Sequence, residues 1–235
     1  MTGGTRRAAA RFAGMAAVCL GLLAGCGNDT GKTENARLAG LAFNEIFGAL
    51  KSNKGEAGPK VDPEALSAKA LATTPGPLLL VSFEKLGGAS VVGLYGENGA
   101  KRTFALSKDQ TVTLRHGLLE ATRGYANDLM SAETEDVGAL IRGRRAGQAQ
   151  RIQRYLDGEW VERPLILTCT VQPGEGKSFS FAGVGYSGTQ VAEHCTGGGV
   201  SVDNVYLVSA DGRILMSRQW VGPEIGNVSL QTLRP

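Results

Sequence analysis

The sequence is poor in histidine, the side chain that most often serves as the base in acid–base and nucleophilic catalysis. It has two histidines among 235 residues, His116 and His194, and a Ser/His/acid triad needs one of them as its base. His116 falls at a predicted hairpin tip and His194 lies beside Cys195, so neither sits on a strand-to-helix nucleophile turn. We therefore interpret both as turn or surface histidines and predict no catalytic residue.

Two motifs that imitate active-site elements have simpler explanations. The glycine triplet at 197–199 is not followed by Lys-Ser or Lys-Thr, so a flexible loop is favoured over a phosphate-binding loop. Glu133, Glu135 and Asp136 could imitate a glycosidase acid pair, but contiguous acids usually form a solvated turn. Neither motif changes the prediction of a protein that is not an enzyme.

The apolar segment near the N-terminus is too short to span a bilayer as a helix. Phe12–Leu23 follows three arginines and ends in Leu23-Ala24-Gly25-Cys26, which fits a bacterial lipobox. We predict a lipoprotein signal peptide over residues 1–25, with Cys26 carrying a diacylglyceryl group and further acyl chains such as palmitate. An ordinary secretory signal with an incidental cysteine is the alternative.

The residues behind the predicted lipid site favour an exported, membrane-anchored domain. Residues 26–35 are small and polar, as a tether would be, and residues 36–235 are expected to form one β-rich domain. Gly27 rather than aspartate follows Cys26, so the periplasmic face of the outer membrane is the expected location. The covalent lipid on Cys26 is the only attached group predicted, and no cofactor is expected.

The mature chain has no surplus of positive charge. Removing residues 1–25 takes three of the 25 basic residues and no acid, which leaves 22 basic against 22 acidic residues. Nucleic-acid binding domains usually carry a basic surface. Nucleic acid is therefore not expected among the partners.

The cysteines predict a disulfide. Cys19 leaves with the leader and Cys26 carries lipid, so Cys169 and Cys195 remain as an even pair in an oxidising compartment. We predict that they form one disulfide, worth about 3 kcal/mol by loop entropy. A metal or nucleophile site at His194-Cys195 would lack ligands, so no metal is predicted.

Periodicity predicts helices first and strands afterwards. Apolar residues recur at helical spacing over 36–50, which predicts a short amphipathic helix. Asp62-Pro63-Glu64 reads as an N-cap, a proline in the first turn and an early acid, and predicts a second helix ending near Thr73. Leu78–Phe83 is an unbroken apolar run, as in a strand buried on both faces.

Turn signals then predict a series of hairpins. One of them would place Tyr155 opposite Trp160 as a cross-strand aromatic pair, and Val228–Leu233 would supply a closing strand. The pattern predicts a mainly β fold, an antiparallel hairpin-rich sandwich or barrel-like sheet with one or two short N-terminal helices. The turn signals are Glu97-Asn98-Gly99-Ala100, His116-Gly117, Asp157-Gly158 and Asp211-Gly212.

The central stretch, residues 111–132, predicts a structural clasp. Counting along the strands from a two-residue turn places Arg123 on the apolar face, where a guanidinium needs acceptors. Asn127 and Asp128 follow a few residues later. Our hypothesis is that Arg123 holds the loop 124–128 on the sheet, with Asp128 as its carboxylate partner.

Five arginines with no acid among them occupy residues 142–154. Guanidinium groups bind carboxylates and phosphates bidentately, so this segment is a candidate contact for anionic polysaccharide or lipid headgroups. A solvated loop balanced by the preceding acids is the alternative. The candidate contact residues are Arg142, Arg144, Arg145, Arg151 and Arg154.

Several segments together carry a family resemblance. With them the chain resembles the YjbF family, the family of the group 4 capsule polysaccharide lipoprotein GfcB, over most of residues 75–235. The lipobox agrees with this resemblance. The segments are 114–119, 121–124, 127–131, 154–157 and 219–226, together with the spaced pair Cys169 and Cys195.

The resemblance implies an outer-membrane lipoprotein that assists capsule or exopolysaccharide assembly or export without catalysis. The implied partners are the membrane, through the lipid anchor, and an outer-membrane β-barrel and periplasmic proteins of an exopolysaccharide locus. Polysaccharide is a further candidate partner. The alternative function is a glycan-binding or carbohydrate-active module of the envelope, acting through the arginine segment or Asp128. A lipoprotein of envelope stability unrelated to polymer is a third.

Overall fold

The computed structural model describes residues 62–125 and 127–235, and this part of the chain contains two helices and twelve strands. The predicted signal peptide, the tether, Cys26 and the helix over 36–50 lie outside the described residues. No helix within the two described ranges is long and apolar enough to cross a membrane. The helices are α1 (Pro63–Thr73) and α2 (Glu135–Gly143), and the strands are β1 (Leu78–Phe83), β2 (Ser90–Asn98), β3 (Lys101–Ala105), β4 (Thr111–Arg115), β5 (Leu118–Arg123), β6 (Ser131–Glu133), β7 (Gly147–Leu156), β8 (Glu162–Phe181), β9 (Val184–Gly197), β10 (Val200–Val208), β11 (Ile214–Gly222) and β12 (Gly226–Arg234).

The twelve strands form one antiparallel sheet that closes almost completely into a barrel. Its order is β5-β4-β3-β2-β1-β12-β11-β10-β9-β8-β7-β6, so β1 pairs with β12 and the edges are β5 and β6. Apart from β5 and β6, strands that follow one another in the chain are neighbours in the sheet, because antiparallel strands need only a short connection. The predicted mainly β, barrel-like fold is confirmed.

Several predicted elements are present with small shifts in their bounds. The α1 helix begins as expected, with the Asp62 carboxylate accepting the Glu64 N–H at 2.9 Å and Pro63 at its first position. The β1 strand is buried at all six positions. Asn98 pairs with Lys101, so the two turn residues of the β2–β3 hairpin are Gly99 and Ala100. Gly99 adopts a positive φ of 59°, which glycine tolerates.

The glycine triplet and the β7–β8 connection differ from their predictions. Val200 pairs with Gly197, so the triplet makes a tight β9–β10 hairpin turn rather than a flexible loop. Tyr155 pairs with Arg163 instead of Trp160, because the connection has five residues, 157–161.

The carboxylate of Asp157 holds this longer connection in place. It accepts the N–H groups of Glu159 and Val161, each at 2.9 Å, and the Arg163 Nε at 2.8 Å. Trp160 is left 82% exposed with a φ of 62°. Tyr155 instead packs edge-on against Trp220, with the two ring centroids 6.5 Å apart.

The α2 helix occupies a region predicted as a solvated turn and loop. Val137 and Ile141 lie four residues apart and are fully buried, so one face of this short helix packs into the barrel. Gly138 allows a close approach, since a Cβ there would stand 2.5 Å from the Leu118 side chain. The helix ends at Arg144, which has a left-handed φ of 50°. The helical spacing of apolar residues over 137–141 was the sequence signal that could have predicted this helix.

The sheet is apolar on both faces in its central strands. Leu79 and Val81 of β1 pack with residues of β2 to β6, β11 and β12, which places this cluster inside the barrel. Leu78 and Leu80 point to the other face and pack with Leu71 of α1 and with the far end of the long β8–β9 hairpin. A third cluster joins α2 to β8, β9 and β10 and includes both predicted disulfide cysteines.

Candidate functional site

Arg151 lies inside the barrel rather than on its surface. Its guanidinium binds the carboxylate of Glu193 on β9 bidentately, with Nε 2.9 Å and Nη2 3.0 Å from the two oxygens. The Tyr206 hydroxyl and the Asn204 amide donate to the same carboxylate at 2.7 and 2.8 Å. The candidate contact of Arg151 with an external anion is therefore wrong, because its binding groups are occupied by buried partners.

The pKa shifts fit a sealed cluster. Burial alone would lower the pKa of Arg151, but the charge of Glu193 and the Tyr206 hydroxyl raise it above its ordinary value. Burial and the neighbouring Glu193 carboxylate raise the pKa of Tyr206 well above its ordinary value. Both groups thus keep their protons at neutral pH. We name Arg151, Glu193, Asn204 and Tyr206 the buried ionic cluster.

The predicted disulfide between Cys169 and Cys195 is formed. The two cysteines face each other across β8 and β9, with their Cα atoms 4.0 Å apart and both side chains fully buried. Glu193 lies close, with one carboxylate oxygen 3.3 Å from the Cys195 sulfur. Because the sulfurs are bonded to each other and Glu193 is held by Arg151, this trio is not a free set of metal ligands.

The clasp exists, but with different partners from those predicted. The register of β4 and β5 shifts by one residue between the Thr113–Ala121 and Leu114–Leu119 pairs, and this bulge turns Arg123 outward. The Arg123 guanidinium donates to the carbonyls of Leu129 and Met130, each at 3.3 Å, and to that of Thr122 at 2.6 Å. Arg123 therefore does tie the returning chain to the sheet, although through carbonyl groups.

Asp128 instead organises the loop itself. Its carboxylate accepts the Thr122 hydroxyl at 2.9 Å and the N–H groups of Gly124 and Tyr125 at 2.8 and 3.2 Å. Burial and the Asp128 charge raise the pKa of Tyr125 to about 12. The expected Arg123–Asp128 ion pair is therefore wrong. Asn127 is exposed, and its backbone N–H donates to the Tyr125 carbonyl.

The remaining arginines of the 142–154 segment do not form one patch. Arg154 binds Glu133 and lies 3.4 Å from Glu162, and Arg144 donates to the Ser209 carbonyl. Arg145 is exposed just beyond the end of α2. The segment spans a helix end and a strand, so its arginines point in different directions.

Arg142 is the member of the segment that faces a cavity. The cavity is about 400 Å³ and opens at the end of the barrel where the β2–β3, β4–β5 and β10–β11 turns meet. Apolar side chains, among them Phe104, Leu114 and Ile214, contribute to its lining. Its charged lining residues are Glu97, Arg102, Arg142, Asp211, Arg213 and Arg234.

Most of these charged groups already have partners. Arg102 binds Glu97 at 2.6 Å, and Arg213 binds Asp211 at 2.6 Å. Arg234 donates to the carbonyls of three residues at the end of α1 and before β1. The Arg142 side chain, by contrast, makes no hydrogen bond or ion pair with any residue in the described ranges.

A smaller cavity of about 180 Å³ adjoins this one and shares two of its residues, Arg142 and His116. Burial, then Arg142 and Arg115, lower the pKa of His116, and Glu135 opposes them. His116 is therefore neutral at pH 7 in a cationic setting. We call the two cavities together the α2-end site.

The acids proposed as imitators of a glycosidase pair are engaged elsewhere. Glu133 binds Arg154, and Glu135 lies 3.2 Å from Arg115. His194, the second histidine, is exposed and lies 2.7 Å from Asp203. Sequence reasoning missed Arg102, Arg213 and Arg234 because they lie far apart in the chain and carry no local signal.

A family model described as "Group 4 capsule polysaccharide lipoprotein gfcB, YjbF" matches residues 41–233. Among solved structures, the chain is similar to the crystal structure of the hypothetical lipoprotein YmcC from Escherichia coli (K12). The TM-score is 0.64 and the identity 17%, over 72% of this chain and 89% of that chain, which shows a shared fold. A comparison with the curated proteins gives no match.

Proposed function

Since the chain belongs to the YjbF family of group 4 capsule polysaccharide lipoproteins, we propose that it is a non-catalytic accessory protein of capsule or exopolysaccharide assembly or export. In this proposal the lipid on Cys26 anchors it to the periplasmic face of the outer membrane. An outer-membrane β-barrel and periplasmic proteins of the same locus are its partners. The observation that carries the proposal is the family match, which extends over residues 41–233.

The side-chain chemistry supports a role in binding rather than in catalysis. Hydrolysis of a glycosidic bond needs two carboxyl groups that flank the bond, one of them able to give up a proton. Three acids line the α2-end site, and each is paired with an arginine: Glu97 with Arg102, Asp211 with Arg213 and Glu135 with Arg115. Glu193 is sealed inside the barrel by Arg151.

Export and anchoring are tested together by complementing a deletion strain. The Cys26→Ala protein cannot receive lipid, so it should fail to restore surface polymer although it accumulates in the periplasm. Cys19→Ala is the matched control, because it removes a leader cysteine that carries no lipid in the proposal. Full export with soluble Cys26→Ala protein would contradict the anchoring step.

Partner contacts are tested by purifying the lipidated protein from membranes with and without the β-barrel protein of its locus. Co-purification that depends on that protein is expected. If the deletion strain exports normal amounts of polymer, the proposed function is wrong. A loss of envelope integrity with unchanged polymer would favour the envelope-stability alternative.

The glycan-binding alternative is favoured by one specific observation, the α2-end site with an arginine side chain that has no partner among the described residues. Accessory binding and glycan binding are compatible, because an export protein can hold the polymer that it helps to move.

A further inference from the structure

We propose that the α2-end site binds a carboxylate-bearing sugar, with Arg142 as the residue that binds the carboxylate. The inference rests on the proposed function, which makes a polysaccharide the available ligand. It adds the place of binding, the chemical class of the sugar and the anchoring side chain.

The first argument is the state of the guanidinium groups. Arg102 and Arg213 each bind a carboxylate through Nε, and Arg234 donates to three backbone carbonyls. Arg142 lines both cavities, and its side chain has no hydrogen bond or ion pair within residues 62–125 and 127–235. A guanidinium presents a planar fork of donors that matches a carboxylate bidentately. In our proposal this fork binds the carboxylate of the sugar.

The second argument is the shape and polarity of the cavity. About 400 Å³ lies within the roughly 300–1,000 Å³ range of small-molecule sites. Phe104, Leu114 and Ile214 provide an apolar surface for the C–H faces of a sugar ring, while charged groups stand around it. A concave site with both features can enclose a sugar ring. It fits the headgroups of a bilayer less well, because these form a flat, mobile surface.

The third argument is the field around His116. This histidine lies on the β4–β5 turn at a φ of 51° and lines both cavities. Arg142 and Arg115 face it as cations and Glu135 as an anion. A bound carboxylate would offset the two cations and move the pKa of His116 back toward its ordinary value of 6.5.

The test uses the two histidines as internal reporters. The whole lipidated protein is placed in detergent micelles, and the imidazole C–H proton signals of His116 and His194 are followed by NMR. Glucuronate, inorganic phosphate and glucose are titrated in turn. We expect glucuronate to shift His116 saturably and to raise its apparent pKa, while His194, paired with Asp203 on the surface, stays unchanged.

Two variants identify the binding side chain. Arg142→Gln keeps a polar side chain and removes the guanidinium charge, so glucuronate should bind at least about 10-fold more weakly. Arg145→Gln is the matched control, since this exposed arginine lies three residues further along and lines neither cavity. Circular dichroism checks that both variants are folded.

Each alternative outcome has a definite meaning. Equal binding of phosphate and glucuronate would overturn the proposal that the ligand is a sugar, and would leave a general anion site. Equal shifts of both histidines, or equal losses in both variants, would overturn the site itself. The proposed function is tested separately by polymer export, so a negative titration with normal complementation removes only this inference.

Discussion

Two arginines nine residues apart, Arg151 and Arg142, stand in opposite situations. Arg151 is 2% exposed, and both sides of its guanidinium fork are taken by buried partners. Arg142 is half-buried at the mouth of the barrel, faces two cavities and has no partner in the described part of the chain. In sequence they belong to one basic segment. Their roles are set by the elements that carry them, an inward position on β7 and the last turn of α2.

The difference shows how burial converts a charge from a binding group into a structural one. Taking an arginine out of water costs several kcal/mol, and a well-placed carboxylate with further hydrogen bonds has to offset that cost. Arg151 has Glu193 and Tyr206 for this purpose. Arg142 keeps contact with solvent, so it can stay unpaired until a ligand arrives.

The largest effect is expected from breaking the buried ionic cluster. Glu193→Gln leaves the Arg151 charge buried without a counter-charge, and should lower the free energy of unfolding by about 3–5 kcal/mol. Urea unfolding followed by circular dichroism measures this. The double variant Arg151→Met/Glu193→Leu should lose less than the sum of the single changes. A loss of stability below about 1 kcal/mol for Glu193→Gln would contradict this, because it would mean that the buried ion pair contributes no more than an exposed one.

The disulfide beside this cluster should come next. Replacing Cys169 and Cys195 by alanine opens a link across 26 residues and should cost about 3 kcal/mol by loop entropy. Thermal unfolding with and without a reducing agent measures it. Reduction should lower the midpoint of the parent protein and leave that of the double alanine variant unchanged.

The clasp should show an intermediate effect and a definite order. Asp128→Asn weakens three bonds that shape the loop and should cost about 1–2 kcal/mol. Arg123→Gln removes bonds to three backbone carbonyls from an exposed side chain, where water can replace them, and should cost less. Urea unfolding of both variants decides the order. The reverse order would restore Arg123 as the main residue of the clasp.

Arg142→Gln should leave stability almost unchanged. The side chain has no internal partner among the described residues, and such surface changes usually stay within about 0.5 kcal/mol. Thermal unfolding beside Arg145→Gln checks this. A much larger loss would show that Arg142 stabilises the fold and would remove the contrast with Arg151.

The smallest effect concerns the exposed β7–β8 loop at low pH. Hydrogen bonds from the Val161 N–H and from Arg163 hold the pKa of Asp157 below its ordinary value of 3.8. The loop is therefore stabilised above that value, and the contribution is lost as the pH falls through the lowered pKa. Trp160 fluorescence in a Trp220→Phe background should change only at such low pH. Asp157→Asn should remove this pH dependence.

Much of the fold follows from short-range rules. Asp62 and Pro63 mark the start of a helix, and glycine at positive φ marks the turns at Gly99, Gly117 and Gly212. The apolar β1 run has a single plausible location, the middle of the sheet. Such signals depend on neighbouring residues, so the sequence alone displays them.

Register and long-range contacts lie beyond those rules. One bulge in β5 turned Arg123 from the interior to the surface and changed its partner. On β7, polar residues occupy both faces, so alternation could not tell that Arg151 points inward. The α2-end site joins turns that lie far apart in the chain, and only the closed barrel brings Arg102, Arg142 and Arg213 together.

The gap between β5 and β6 has a consequence for behaviour at high concentration. These edge strands carry backbone groups that could pair with another copy of the protein. The Thr122 N–H donates a hydrogen bond to the Leu129 carbonyl at 2.9 Å. The Arg123 guanidinium donates to the same carbonyl and to that of Met130. The clasp therefore occupies backbone groups at the barrel seam with which a strand from another copy of the protein would otherwise pair.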